Sequence, residues 1–405
     1  MIQTIVSNAN APEYGQTTIS FPIGEEDYPN VVNMLQRMGL GDPMERDCRV
    51  DEVCGDWPIL KRLEKVAINL DEMDYLAKRL DSFDTQEKAK FQAAAVRFGL
   101  FDMRHLIDLT FCCQETTVIT DFSDLEKVGL RHYLDVNGGS ASSEELENVD
   151  GYETALLLIG DGEGIITPYG VIYDNGMQLR PVYDGQNFLL YQYQDCVLIL
   201  GLTHESDLDM NSATTWLFLP ASTERLERAL KRGGFEPGSS IHCTCVGGNI
   251  QEELEARLDF ERESLKDLNT FASAIASLDE AQHAKFKAVI QMANPQSAAE
   301  MTALAQNLDL FDFVPGIHSP REYGEFMIRE SGHFDLDDDL VPFIDYEAYG
   351  QKQINADGGV FNDQGYVVFR GENRGDNIIK ELIKQASAEP QWHLQTGLRL
   401  HFKGQ

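Results

Sequence analysis

The chain has 405 residues, 42% of them hydrophobic, and no apolar run approaches the roughly 18 residues that a membrane-spanning helix requires. Its 67 acidic residues against 33 Lys and Arg residues give a formal net charge of -34. Such a charge opposes the approach of nucleic acid or of an anionic membrane, so the composition predicts a globular protein that binds neither.

The start of the chain contains no basic segment followed by an apolar one, so we expect no secretory signal. The seven cysteines form an odd set without CxxC spacing, which favours free thiols in a reducing compartment. Both features predict a cytoplasmic location.

Short runs rich in β-branched residues open the chain and predict a small antiparallel sheet: IQTIVSN, TTISFPI and RDCRVDEVC. The segment EEDYPNVVNMLQRMG predicts a helix that accompanies this sheet. An amphipathic helix is predicted from Leu70 to Leu80. Another begins at Asp84, where Asp84 and Glu87 form the pattern of a helix N-cap with its third-position partner, and it ends at Gly99.

The middle of the chain repeats at an offset of 195 residues. The block SFDTQEKAKFQA, which begins at Ser82, corresponds to SLDEAQHAKFKA, which begins at Ser277. Asp279 and Gln282 repeat the N-cap pattern in the second block. We therefore predict two tandem units, joined by a linker and followed by a tail. Unit one spans 1–176, the linker hairpin 177–195, unit two 196–370 and the tail 371–405.

Each unit ends in a glycine-rich segment that predicts a hairpin, GEGIITPYGVIYDNG in the first and GGVFNDQGYVVF in the second. The apolar run TALLLI after Tyr152 is compatible with a strand or with a buried helix. The pattern as a whole predicts an α+β fold. Each unit is expected to contain a small antiparallel sheet, a helical middle and a C-terminal α/β part with a hairpin.

The negative charge belongs to the predicted units, because residues 351–405 hold 6 acids and 7 bases whereas residues 1–200 hold 34 and 15. A solvated helix face accounts for any single acidic cluster. So many carboxylates on one surface repel one another, however, which indicates that the protein gains something by keeping them. The densest clusters supply the candidate partner-binding residues: Asp121, Asp124, Glu126, Glu144, Glu145, Glu147, Asp150, Glu252, Glu253, Glu255, Asp335, Asp337, Asp338, Asp339, Asp345 and Glu347.

The sequence lacks the motifs of phosphate and calcium sites. No GxxxxGK[ST] pattern occurs, and the GDGEG turn at 160–164 is flanked by acids that repel phosphate. The DxDxD run from Asp335 to Asp339 lacks the glycine and the glutamate of an EF-hand loop, because Leu340 and Tyr346 occupy those positions.

Zinc and nucleophile motifs are also missing. His242, Cys243 and Cys245 alternate as in a strand and have no evident fourth ligand. There is no GxSxG or HExxH pattern, and the Cys112–Cys113 pair lies in an apolar run typical of a core. We therefore expect no cofactor and no metal, and nothing in the sequence supports an enzyme.

Four segments resemble ArdA antirestriction proteins: IVSNANAPEYG followed by ISFP, ESGHF, FIDYEAYG at Phe343–Gly350, and GVFNDQGYVVF. The resemblance is strongest from Tyr323 to Phe369. The opening motif is better kept in unit one, at Ile5 to Pro22, whereas FIDYEAYG corresponds in unit one to the dissimilar ENVDGYET.

The resemblance implies a DNA mimic that occupies the DNA-binding groove of type I restriction-modification enzymes and inhibits them stoichiometrically. It also implies pairing of two copies through unit two, with Phe343, Ile344, Tyr346 and Tyr349 as interface candidates. The alternative is an acidic regulatory or scaffolding protein that binds another basic DNA-binding partner. Under either reading the partner is a protein.

Overall fold

The computed structural model of the protein describes residues 1–191, 195–204, 214–236, 239–332, 343–371, 378–380 and 382–383. The chain forms two compact units. The first comprises Met1–Gln194, Asn211–Trp216 and Ser222–Glu236, and the second comprises Asp195–Met210, Leu217–Ala221 and Pro237–Gln405. The predicted linker and the segment that begins at Ser222 therefore belong to the first unit, which differs from the predicted boundaries at 176 and 196.

The first unit opens with an antiparallel sheet in the order β2–β1–β3–β4. Ile2, Thr4 and Val6 alternate with more exposed residues along the first strand, so one face of the sheet is buried. The elements of this part confirm the predicted sheet and its helix: β1 (Ile2–Asn8), β2 (Gln16–Phe21), α1 (Tyr28–Arg37), β3 (Cys48–Gly55) and β4 (Ala67–Ile68).

Three helices follow and contribute buried residues to the same core cluster as the sheet: α2 (Leu70–Asp81), α3 (Thr85–Phe98) and α4 (Met103–Leu109). The capping box predicted at Asp84 is present, because the Asp84 carboxylate accepts the Glu87 N–H and the Glu87 carboxylate accepts the Asp84 N–H. Gly99 ends α3 in the left-handed conformation, with φ of 65°.

The first unit continues with a three-stranded sheet, in the order β5–β7–β6, and three helices. These elements are β5 (Thr117–Ile119), α5 (Leu125–Val136), α6 (Ser143–Glu147), α7 (Gly151–Asp161), β6 (Ile165–Thr167) and β7 (Gly170–Tyr173). The strands β6 and β7 confirm the predicted hairpin, and the TALLLI run lies in a helix. The last helix of this unit is α8 (Thr223–Arg232).

The second unit contains a three-stranded antiparallel sheet, in the order β10–β8–β9, followed by helices. Its elements are β8 (Leu198–His204), β9 (Thr215–Leu219, of which Leu217–Leu219 belong to this unit), β10 (Ile241–Gly247), α9 (Glu252–Glu255), α10 (Leu265–Ala276), α11 (Glu280–Ala293) and α12 (Ala298–Gln306). The predicted capping box at Asp279 and Gln282 is present, and Asn294 ends α11 in the left-handed conformation. His242, Cys243 and Cys245 lie in a strand, as predicted.

A second small sheet completes this unit in the order β11–β13–β12. Its elements are β11 (Phe311–Pro315), α13 (Pro320–Glu325), a π-helical turn (Phe326–Glu330), α14 (Tyr346–Asp357), β12 (Val360–Phe361) and β13 (Gly365–Phe369). The last two strands confirm the predicted second hairpin. Helices and several small antiparallel sheets together make the α+β fold that the sequence predicts.

Equivalent elements recur along the chain at a constant spacing. The helix pairs α2 and α10, α3 and α11, and α7 and α14 begin 195 residues apart, at Leu70 and Leu265, Thr85 and Glu280, and Gly151 and Tyr346. The three-stranded sheets β5–β7–β6 and β11–β13–β12 also have the same strand order. The spacing of the elements therefore equals the offset of the sequence repeat.

Residues 177–191 form no strand, although the sequence predicts a hairpin there. They pack instead on the helices of the first unit. Tyr183 is fully buried, and Phe188 stacks on Tyr75 with ring centroids 4.5 Å apart. The backbone N–H groups of Val182 and Tyr183 donate to the Asp108 carboxylate, so a long-range partner satisfies the backbone that a hairpin would have satisfied locally.

All seven cysteines are free thiols, as predicted. Among the helices of the described residues, none is long and apolar enough to cross a membrane.

Candidate acidic surface

Helices α5 and α7 pack unusually closely, through glycines. A side-chain carbon at Gly129 would overlap the carbonyl oxygen of Gly151, and one at Gly151 would overlap the carbonyl oxygen of Glu126. The Glu126 carboxylate also accepts the backbone N–H of Tyr152 at 3.0 Å. These contacts hold α5 and α7 together at the distance that only glycine allows.

Several acidic side chains cap the helices of this part. Asp124 accepts the Lys127 N–H at the start of α5, and Asp150 accepts the Glu153 N–H at the start of α7. Ser142 and Glu145 form a capping box at α6. Carboxylates are favoured at these positions because the N-terminal end of a helix carries a partial positive charge.

We define the acidic segment as residues 121–163, which include α5, α6 and α7. It holds eleven acids and two bases, Lys127 and Arg131. One acid, Asp135, is buried and forms an ion pair of 2.5 Å with the buried Lys90. The other ten are exposed: Asp121, Asp124, Glu126, Glu144, Glu145, Glu147, Asp150, Glu153, Asp161 and Glu163.

Within the described residues, none of these ten carboxylates lies within 4 Å of a Lys, Arg or His nitrogen. Hydrogen bonds from the Ser123 backbone and hydroxyl lower the pKa of Asp121, and hydrogen bonds from the Ser142 backbone and hydroxyl lower the pKa of Glu145. Among the described residues, the ten exposed carboxylates of the segment thus have no base paired with them.

Seven of the sequence-predicted carboxylates belong to the acidic segment, and the structure exposes all of them: Asp121, Asp124, Glu126, Glu144, Glu145, Glu147 and Asp150. Sequence reasoning missed three more in the same segment, Glu153, Asp161 and Glu163. The signal that could have found them is the near absence of bases from residue 132 to residue 179.

The predicted residues of α9 are less available. Glu252 is exposed, but Glu253 is half-buried and accepts a hydrogen bond of 3.0 Å from the Gln291 side-chain amide. Glu255 is half-buried as well and hydrogen-bonds the Cys245 thiol. In the same acidic cluster, Glu263 is buried; burial raises its pKa, and it accepts the Ala298 N–H. In this cluster, Glu253, Glu255 and Glu263 therefore contribute to the fold through their hydrogen bonds.

The remaining predicted residues lie near α14. Asp345 caps that helix by accepting the Ala348 N–H at 3.0 Å, and Glu347 is exposed. The predicted carboxylates of the DxDxD run, Asp335, Asp337, Asp338 and Asp339, lie outside the described residues.

The four interface candidates differ in exposure. The Phe343 side chain is 85% exposed, which is unusual for an aromatic residue. Ile344, Tyr346 and Tyr349 are half-buried. The Tyr346 hydroxyl is buried without a hydrogen-bond partner among the described residues.

A different group of carboxylates, at the start of α2, is buried and neutralised. Arg228 on α8 binds Asp71 with two hydrogen bonds, of 2.8 and 3.0 Å. Asp74 lies 2.8 Å from the Lys78 ammonium and 3.1 Å from the Arg225 guanidinium. These acids hold α8 in the first unit and are unavailable to a partner.

Arg232, also on α8, makes a further set of buried contacts, and the sequence pattern did not identify it as a structural residue. Its guanidinium is buried and donates to the Pro43 carbonyl oxygen, the Asn69 side chain and the Tyr183 hydroxyl. Three arginines at spacings of three and four residues on α8 are the only signal that the sequence carries for it.

No group of three or more His, Cys, Asp or Glu side chains in the described part of the chain is arranged to hold a metal ion. Carboxylates without bases can accept hydrogen bonds from Arg and Lys side chains of another molecule. Fold and surface together define an acidic α+β protein with an exposed, unneutralised carboxylate segment.

Comparison with known families agrees with this class. Residues 211–368, somewhat less than half of the chain, match the family model of the antirestriction protein (ArdA). Over this range the chain is similar to ArdA antirestriction proteins. No curated protein matches the chain.

Proposed function

We propose that the protein is an antirestriction protein that inhibits type I restriction-modification enzymes by acting as a DNA mimic. The family match at residues 211–368 supports the antirestriction role. The observation that carries the mimicry is the set of ten exposed carboxylates of the acidic segment, none of which forms an ion pair among the described residues. No catalysis is required for such a function.

In this proposal the carboxylates take the place of phosphates. They accept hydrogen bonds from the Arg and Lys side chains that line the DNA-binding groove of the target, and binding releases the ions that these groups held in solution. Duplex DNA carries one charge per about 1.7 Å, so ten carboxylates carry the charge of about 17 Å of duplex, or about five base pairs.

We further propose that the two halves of the chain are duplicated ArdA-like units. The 195-residue sequence offset, the equal spacing of three pairs of helices and the shared strand order of two sheets support this. The close helix contact at Gly129 also recurs 195 residues later, because a side-chain carbon at Gly324 would overlap the carbonyl oxygen of Tyr346. Residues 316–358, which correspond to the acidic segment, hold ten acids and three bases.

Pairing of two copies through the second unit is part of the same proposal. The exposed Phe343 beside the half-buried Ile344, Tyr346 and Tyr349 supports an apolar contact at this place. Light scattering of the purified protein and of a Phe343→Ser variant measures it. A dimer that the substitution dissociates is the expected result.

Titration of a type I enzyme with the purified protein tests the function. The expected result is loss of DNA methylation and cleavage that is complete at a fixed molar ratio and is relieved by excess specific DNA. Inhibition at far lower ratios points to catalysis instead. Absence of inhibition, with binding to another basic DNA-binding protein, favours a regulatory or scaffolding role.

A further inference from the structure

Helix α7 carries apolar side chains on the face that points to solvent. Its buried residues are Gly151, Ala155 and Leu158, at the spacing of one helix face. Outside this face, Tyr152, Leu156, Leu157 and Ile159 are between 36% and 58% exposed. An amphipathic surface helix normally places polar residues there.

The exposed apolar residues form one patch. Tyr152, Leu156 and Ile159 follow the spacing i, i+4 and i+7 and therefore lie in one stripe, with Leu157 beside it. Isolated exposed leucines are ordinary, but several apolar side chains on one short helix indicate a surface that another molecule covers. We call these four residues the α7 patch.

The fold does not require this patch. At the positions 195 residues further on, α14 has Glu347, Gln351 and Lys352 in place of Tyr152, Leu156 and Leu157, and all three are exposed. Only the fourth position stays apolar, because Ile354 corresponds to Ile159 and is half-buried. A helix of 12 residues, against 11 in α7, thus forms with polar residues at three of the four equivalent positions. The exposed apolar side chains of Tyr152, Leu156 and Leu157 are therefore specific to α7 and are not required to form the helix.

Carboxylates border the patch. Glu126 hydrogen-bonds the backbone of Tyr152, Asp150 caps the helix at its start, and Glu153 follows Tyr152 directly. Asp161 and Glu163, both exposed, come at its end. A partner that covers the patch must therefore meet an apolar centre surrounded by negative charge.

We infer that the α7 patch is the apolar centre of a protein-binding site whose partner presents apolar side chains flanked by lysine and arginine. Charge complementarity selects this occupant. A second copy of the chain would bring two negative borders together, and duplex DNA or an anionic membrane would be repelled. The inference rests on the proposed function, to which it adds a contact that a phosphate backbone cannot make.

Such a centre gives the complex a part of its affinity that salt does not screen. Ionic contacts weaken as salt rises, whereas burial of leucine does not depend on released ions. Replacement of the leucines should therefore weaken binding equally at all salt concentrations. Replacement of the bordering carboxylates should instead make the dependence of the dissociation constant on salt shallower.

The test combines Leu156→Gln with Leu157→Gln and measures the dissociation constant for a type I methyltransferase across a salt series. Leu190→Gln, at a leucine 43% exposed outside α7, is the matched control. We expect binding about tenfold weaker or more in the double variant, an unchanged salt slope, and no effect of the control. An unchanged dissociation constant overturns the inference, as does a change in oligomeric state alone.

A second probe separates failure of this inference from failure of the proposed function. It consists of a helical peptide of lysines and leucines, with the leucines on one face, and a peptide of equal charge with glutamine in place of leucine. We expect the leucine peptide to bind more tightly, with the difference lost in the double variant. If the enzyme does not bind the wild-type protein but the leucine peptide still binds more tightly than the glutamine peptide, only the proposed target is wrong. If the two peptides bind equally, the α7 patch is not an apolar binding centre.

Discussion

The carboxylates of α2 and those of the acidic segment have the same chemistry and opposite environments. Asp71 and Asp74 are buried, and arginines of α8 reach them within 2.8 to 3.1 Å. The ten exposed carboxylates between residues 121 and 163 have no ion pair among the described residues. The first group fixes the position of a helix, and the second leaves its charge to solvent or to a partner.

The net charge of -34 therefore predicts neither the stability of the protein nor its binding, because the effect of each carboxylate depends on its environment. A buried carboxylate is tolerated only with its cation, since an unpaired charge in the interior costs several kcal/mol. An exposed carboxylate has a small effect on stability and a larger one on the electric field around the protein. Substitutions in the two groups should therefore have opposite consequences.

The largest effect is expected from Arg228→Ala, which leaves Asp71 buried without its cation. We expect the free energy of unfolding to fall by about 3 to 5 kcal/mol, measured by urea denaturation. Lys231→Ala is the control, because Lys231 forms its 2.7 Å ion pair with Asp42 at the surface, where loss costs less than about 1 kcal/mol. Equal losses in the two variants would contradict the distinction between buried and exposed pairs.

Gly129→Ala should disrupt the scaffold of the acidic segment, because its methyl group would overlap the Gly151 carbonyl oxygen. Overpacking of this kind costs about 1 to 3 kcal/mol, and the melting temperature measures it. Gly160→Ala is the matched control on α7, since nothing lies within 4 Å of its methyl position. That variant should gain up to about 1 kcal/mol from helix propensity.

A smaller effect concerns acid pH. Burial tends to raise the pKa of Asp74, but the charges of Lys78 and Arg225 outweigh it and lower the pKa. The stability that this carboxylate contributes is therefore complete above its unfolded pKa, near 3.9, and is lost as pH falls through the lower folded value. Urea titrations below pH 4 should show a smaller further loss in Asp74→Asn than in the wild type.

The smallest change in stability is expected where the charge is exposed. Five exposed carboxylates of the acidic segment hold neither a helix end nor a turn, and their amide variants form a set: Glu144→Gln, Glu147→Gln, Glu153→Gln, Asp161→Asn and Glu163→Gln. Each should alter stability by less than about 0.5 kcal/mol, and the relief of repulsion should keep the melting temperature equal or higher. A cooperative loss of structure would show that these side chains are structural.

Local signals made part of this structure predictable. The capping boxes at Asp84 and Asp279 depend on residues three apart, so the sequence contains the whole interaction. The hairpin expected at 177–195 is wrong over its described part because its backbone and aromatic side chains bind groups more than 70 residues away, such as Asp108 and Glu72. No local pattern records such partners.

The exposure of the acidic clusters could also be predicted only in part, because the sequence does not show which carboxylates have partners within the fold. The clusters around Asp121 and Glu145 are exposed, because neighbouring acids repel one another and cannot be buried without bases to pair with. Glu253 and Glu263 belong to an equally acidic stretch, yet they contact Gln291 and Ala298, and only the fold reveals those partners.

The salt dependence of binding to a type I enzyme tests the central claim most directly. The five amide substitutions of the acidic segment are compared with five that make the same charge change on exposed carboxylates elsewhere in the first unit: Glu13→Gln, Glu26→Gln, Glu45→Gln, Asp56→Asn and Asp81→Asn. Both variants have a net charge five units less negative than the wild type. We predict weaker binding and a shallower salt slope for the acidic-segment variant alone, because only its carboxylates replace phosphates. Equal changes in both variants, or none in either, would contradict the assignment of the contact to this segment.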